Sequence, residues 1–253
     1  MTEPVTYQYT GLIVDGHIDL AYNAVVLNRN LQLAVGDIRR WEFKHPSLDK
    51  NAGTCTVSIP ALLAGKVAVI GSSIFVEPAV KSRPTPLPVY KTPDEARQLA
   101  IQQLDYYNQL ADEYEQVQVI RELTDLDDVI RSWETNNPIL GLFIVMEGAE
   151  AIDNPDRIPW WFDHGVRGVG LTWSLGTRYA GGNAAPGPLT DEGKALLDVM
   201  ADYGMLLDIS HMWIDAAHEA LTRYPGIVVA THANPRHFSN TPRQLPDEII
   251  HLI

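Results

Sequence analysis

The chain has one cysteine, Cys55, in 253 residues, so no disulfide can form within it and a zinc cluster built on thiolates is excluded. Any metal has to be held through histidine and carboxylate. Basic residues are also few: 19 Lys and Arg stand against 32 Asp and Glu, a formal charge of −13. That balance argues against nucleic acid as a partner, because neutralising phosphates needs a basic face. It says little about a small-molecule substrate. No apolar run approaches the roughly 20 residues that span a bilayer, so no membrane partner is expected. The opening MTEPVTYQYT lacks a basic start followed by an apolar stretch, which makes the cytoplasm the default location. Internal repeats and low-complexity tracts are missing as well.

What the chain does have is 45% hydrophobic residues, enough for one large core and a single domain over 1–253. Apolar, β-rich runs alternate with helical patterns, the signature of a parallel sheet with crossover helices. The runs predict strands near 12–18, 67–76, 139–146, 166–172, 204–209 and 227–231. Helices are clearest at 93–116, which opens with a threonine cap and a proline in the first turn, and at 190–203, opened by TDEG and closed near Gly204. KSRPTPLPVYKTP, with four prolines, reads as a loop. The fold class expected is therefore α/β, a TIM-like (β/α) barrel. Six strands are used up by residue 231, whereas a closed barrel needs eight. PDEIIHLI then starts another helix without a stop signal, so the barrel is expected to be truncated at the C-terminus. A six-stranded barrel leaves its first and last edges unpaired, which predicts aggregation or a partner, a homo-oligomer included.

Four apolar runs end in side chains that bind metals: LIVDGHIDL, ILGLFIVMEG, MLLDISHM and IVVATHANPR. They supply His17, Asp19, Glu147, His211 and His232, the ligand types of zinc and similar divalent ions. In an α/β barrel the strands' C-terminal ends form the reaction face, so four such ends suggest one shared site. Alternation along a strand turns His17 and Asp19 to the same side. Five ligands fall one short of two three-ligand catalytic sites unless a carboxylate bridges, and Glu147 is the natural bridge. Each residue alone has an ordinary alternative: Glu147 as a helix cap, His211 as a loop histidine bonded to backbone, His232 as a turn residue. All of these must hold at once to defeat a metal centre. Asp15 and Asp208, just before ligand positions, are candidates to orient a histidine, with a plain turn contact about as good a reading. His45, His164, His218, His237 and His251 sit in polar or helical contexts and are assigned no chemistry. Trp160, Trp161 and Trp213 fit packing better than ligand stacking.

In their order and approximate spacing, DGHIDL, the glutamate of MEGAEAI, LDISHM and THANPR resemble the membrane (renal) dipeptidase family of binuclear zinc hydrolases, from about residue 11 to the last. The resemblance implies a metal-dependent hydrolase barrel, two zinc ions or similar divalent ions, and hydrolysis of dipeptides through a metal-bridging hydroxide. It implies that His17 and Asp19 bind one ion, His211 and His232 the other, and Glu147 both, so Glu147 is the catalytic carboxylate. Arg243, in TPRQLPDE, matches the family arginine that holds the substrate's carboxylate. Two departures stand out. Where the family often has a substrate-contacting histidine after the fourth strand, this chain has Trp173, which lines a pocket or donates one hydrogen bond but cannot carry a proton. The family's later aspartate, near the bridging water, would lie beyond Ile253, which leaves the proton donor unassigned. Three readings follow: a zinc dipeptidase, a related barrel hydrolase of another small amide or ester, and a metal-binding fragment without turnover.

Overall fold

The computed structural model describes residues 11–45, 54–83 and 85–253. The segment read for a leader, 1–10, and one proline of the proline-rich loop lie outside them. The elements run β1 (Ile13–Ile18), a π-helical turn (Tyr22–Val26), α1 (Val35–Lys44), α2 (Ile59–Ala64), β2 (Val67–Phe75), α3 (Pro93–Glu113), β3 (Val117–Val119), α4 (Leu123–Ser132) and β4 (Leu140–Glu147). They continue through two short 3-10 turns to α5 (Ile158–Asp163), β5 (Val166–Gly170), the pair β6 (Ala180–Gly182) and β7 (Ala185–Leu189), α6 (Asp191–Asp202), β8 (Leu206–Asp208), α7 (Ile214–Arg223), β9 (Val228–Val229) and α8 (Asp247–Ile250).

The six strands predicted from the apolar runs form one curled parallel sheet in the order β1-β2-β4-β5-β8-β9, a half-barrel. Parallel pairing follows from the crossover helices, which return the chain to the same end before each new strand. Two features went unpredicted. The three-residue β3 pairs with Leu140–Leu142 of β4, below the stretch Ile144–Glu147 that pairs with β5. β6 and β7 form a separate antiparallel pair, and a strand reading APGPL carries two prolines that argue against strand by propensity.

Helix ends fall where their caps put them. The hydroxyl of Thr92 accepts the Glu95 N–H while Glu95 returns to the Thr92 N–H, a reciprocal capping box with Pro93 in the first turn. Thr190 caps α6 through the Gly193 N–H. Inward faces of α3 (Ala96, Ala100, Leu104, Tyr107) and α6 (Leu196, Leu197, Met200) join Ile70, Ile74, Leu142 and Ile144 of the sheet in one buried core. Burial of the sheet is uneven. β2 and β4 are buried along nearly their whole length, whereas β1 is open, with Val14 69% exposed. Gly71 lets β2 approach β1, since a Cβ there would stand 2.0 Å from the Gly16 carbonyl oxygen. Among the described residues no helix is long and apolar enough to cross a membrane.

Candidate metal centre

Glu147 is the last residue of β4, in register with Phe75 on one side and Gly170 on the other. Its carboxylate is the meeting point of three imidazoles. Nε2 of His17 lies 3.2 Å from Oε2, while Nε2 of His211 and Nε2 of His232 lie 3.0 and 3.3 Å from Oε1. Asp19, just past β1, brings Oδ1 to 3.4 Å from Nε2 of His17. The His17 and His232 rings face each other with centroids 3.8 Å apart. The five residues predicted as ligands thus lie at one end of the sheet, delivered by β1, β4 and the segments after β8 and β9.

Those segments are shaped for the task. His211 has φ 68°, a left-handed conformation that costs a non-glycine residue on the order of 1–3 kcal/mol. The cost is met by contacts that hold it: Nδ1 of His211 is 3.0 Å from the Asn183 amide oxygen, and the Asn183 N–H donates to the His211 carbonyl. Asn183 sits in the β6–β7 turn, so that unpredicted hairpin serves to brace a histidine. His232 follows Thr231, whose hydroxyl contacts both Nδ1 of His232, at 2.8 Å, and the Asp208 carboxylate. Asp208 itself stands 3.9 Å from Nδ1 of His232, so it reaches the ring through Thr231. Asp15, the other orienting candidate, accepts the His17 backbone N–H and touches no ring in the hydrogen-bond pattern, the turn contact weighed as its alternative. Ser73 of β2 donates its hydroxyl to Oδ1 of Asp19.

Electrostatics reflect the crowding. Burial disfavours the charged form of Glu147, but hydrogen bonds from the three histidines outweigh it and hold the carboxyl well below its usual range. Burial likewise opposes protonation of His17, yet Asp19 and Glu147 raise it to about 10. His211 is pushed down by burial and by the charges of Arg243 and His232, against the pull of Glu147. The donor set suits a divalent ion. Three clusters, His17 with Asp19 and Glu147, Glu147 with His211 and His232, and His17 with Asp208 and His232, each bring ligand atoms within 4.8 Å of one another. All are nitrogen and carboxylate oxygen donors, the borderline-hard mixture that zinc accepts.

Arg243 lies beside this cluster. Its Nη2 donates to the His232 carbonyl at 2.7 Å, while Nη1 is buried with no hydrogen-bond partner among the described residues. Trp173, in the loop after β5, packs with its ring centroid 6.0 Å from His211 and 5.1 Å from Phe75. Thr231, Asn183 and Ser73 escaped the sequence reading. Ser73 had a visible signal, two serines in the middle of the apolar run VAVIGSSIF; Asn183 and Thr231 had little beyond their proximity to a turn and a histidine.

A half-barrel with carboxylate and imidazole groups gathered at its C-terminal strand ends belongs to the α/β-barrel class. The profile described as membrane dipeptidase (peptidase family M19) matches residues 6–253, and the chain belongs to that family. It is 28% identical over 165 residues to the uncharacterized protein in the PQQ-III 3′ region of Acinetobacter calcoaceticus, covering 62% of this chain and 51% of that one. The chain thus spans about half the length of that relative. Among solved structures it resembles dipeptidase AC, a metallopeptidase, with TM-score 0.73 and 21% identity over 97% of this chain and 70% of the other. It also resembles a metallopeptidase from Rhodobacter sphaeroides liganded with a phosphinate mimic of the dipeptide L-Ala-D-Ala, with TM-score 0.71 and 20% identity over 96% and 70%. These two likenesses carry the fold.

Proposed function

We propose that the chain is a metal-dependent dipeptidase whose described residues work as one hydrolase domain. The reading takes two divalent ions, zinc being the ion the donors suit, with His17 and Asp19 on one, His211 and His232 on the other, and Glu147 on both. The observation that carries it is the Glu147 carboxylate, met on separate oxygens by imidazoles from different strand ends. Ions held there would acidify a water molecule and polarise a substrate carbonyl.

The chain's own residues supply binding and orientation. Arg243 is the candidate for the substrate's free carboxylate, which would satisfy the buried Nη1 and select short substrates whose C-terminus lies close to the scissile bond. Trp173 would form an apolar wall beside His211. Family membership and the phosphinate dipeptide mimic in the Rhodobacter structure favour dipeptides as the substrate class. Trp173, where the family often has a histidine, favours a second reading, a related hydrolase of another small amide or ester.

A panel of dipeptides, N-acyl amino acids and lactones, assayed with EDTA and again after zinc is restored, tests both readings. Dipeptide cleavage that EDTA stops and zinc recovers is the expected result. Turnover confined to the other substrates favours the second reading. Zinc uptake with no turnover of any substrate leaves the remaining alternative, a metal-binding chain without catalysis.

A further inference from the structure

We propose that Thr231 is a positioning residue that fixes which nitrogen of His232 carries the proton, acting as the middle member of a chain Asp208–Thr231–His232. The proposal rests on the metal-centre reading for its purpose. The hydrogen-bond pattern supports it independently.

Asp208 ends β8 and is 7% exposed. Its Oδ1 accepts the Ser210 N–H at 2.9 Å and the Thr231 N–H at 3.3 Å, which pins the carboxylate in place. Its Oδ2 faces the Thr231 hydroxyl. A carboxylate only accepts, so that hydroxyl must donate to it. A hydroxyl has one hydrogen, and the Thr231 oxygen therefore meets Nδ1 of His232, at 2.8 Å, with a lone pair. Nδ1 must be the protonated nitrogen. The opposite polarity would set two lone-pair oxygens against each other at Asp208. On a neutral ring the lone pair of Nε2 is then directed at the centre, 3.3 Å from Oε1 of Glu147, a contact that is a hydrogen bond only while the ring is doubly protonated and that a cation between the two atoms would make attractive. That is the tautomer a metal ligand needs.

The geometry also provides a way to invert the chain. In Asp208→Asn the two backbone N–H groups hold the amide oxygen at the Oδ1 position, so the NH2 group faces Thr231. The hydroxyl then accepts from Asn and donates to Nδ1, forcing the proton of His232 onto Nε2. Thr231→Val removes the relay while keeping the shape, and Thr231→Ser keeps the hydroxyl.

Two-bond 1H–15N correlation of the histidine rings in the metal-free protein, at alkaline pH where an ordinary imidazole is neutral, reads the tautomer directly. His232 is identified by the signal lost in His232→Gln. The expected result is Nδ1–H in the wild type and Thr231→Ser, a mixture in Thr231→Val, and Nε2–H in Asp208→Asn. Zinc affinity, measured by competition with a chelator, should fall roughly 10–100-fold in the last two, and less than about twofold in Thr231→Ser. Nε2–H in the wild type, or one unchanged tautomer across all variants, overturns the proposal. If Thr231→Val fails to fold, Asp208→Asn and Thr231→Ser carry the same test. A wild type with the expected tautomer that takes up no zinc instead removes the metal-centre reading and leaves the positioning role standing.

Discussion

The two oxygens of Glu147 face two differently built halves of one site. On the Oε1 side, His211 and His232 each have an acceptor on Nδ1: the Asn183 amide for one, the Thr231 hydroxyl backed by Asp208 for the other. On the Oε2 side, Nδ1 of His17 is buried with no partner among the described residues, and Asp19 is 40% exposed. The difference follows from the sheet. β1 and β9 are both edge strands among the described residues, but the end of β9 lies beside Asp208 of β8 and His211 is braced by the β6–β7 turn. The end of β1 lies beside β2, whose Ser73 reaches Asp19 and not the His17 ring. Orientation on the Oε1 side is fixed through Nδ1 of each histidine; on the Oε2 side the His17 ring is held through Nε2, by hydrogen bonds and then charge from Asp19 and Glu147.

That contrast can be broken or sharpened by substitution. Glu147→Gln should have the largest effect, because it removes the group common to both halves. Bound metal should fall below one ion per chain by elemental analysis, and dipeptide turnover should drop by more than the roughly 100-fold that loss of an outer partner costs. Arg243→Lys keeps the charge and removes the fork; KM for a dipeptide should rise roughly 10–100-fold with a smaller change in kcat, the signature of lost ground-state binding. Asn183→Ala strips the acceptor from His211 and should weaken the ion at His211 and His232 roughly tenfold in a chelator titration, whereas Ser73→Ala, acting on half-exposed Asp19, should cost less than about tenfold at the ion beside His17 and Asp19. Equal losses in these two variants would erase the distinction between the halves.

The smallest effect is on folding of the metal-free chain, and its sign differs between the two groups. His17 is raised from 6.5 to about 10, so its contribution is fully present below about pH 6.5 and disappears as pH climbs through about 10. Glu147 is depressed, so its contribution is present above its ordinary 4.5 and is lost as pH falls through the lowered value. Urea melts across pH should show both arms, and His17→Gln should flatten the alkaline one. An alkaline arm unchanged in that variant would mean that charge does not hold the Oε2 side together.

Much of this architecture was legible beforehand, for identifiable reasons. Buried parallel strands read as near-continuous apolar runs, and the six that matter, VAVIGSSIF and LGLFIVME above all, carry that signal strongly. Strong caps fixed the start of α3 at Thr92. β3 was missed because three residues generate no periodicity, and β7 because its prolines speak against a strand. In the site, the metal-type side chains stood out by residue type at the ends of apolar runs. The groups that orient them did not, since Asn183 lies 28 residues from His211 and Ser73 lies 54 from Asp19. Only the fold brings such partners together. Thr231, adjacent to His232 in sequence, acquires its role only because β8 carries Asp208 alongside.

The central claim is that a single carboxylate joins two ion sites. Anomalous X-ray diffraction from crystals of this chain soaked in zinc tests it most directly. The account predicts two zinc peaks, one beside His17 and Asp19 and one beside His211 and His232, with one oxygen of Glu147 about 2.0–2.2 Å from each. Peaks that leave Glu147 out of contact, or a single peak served by only one of its oxygens, would contradict it.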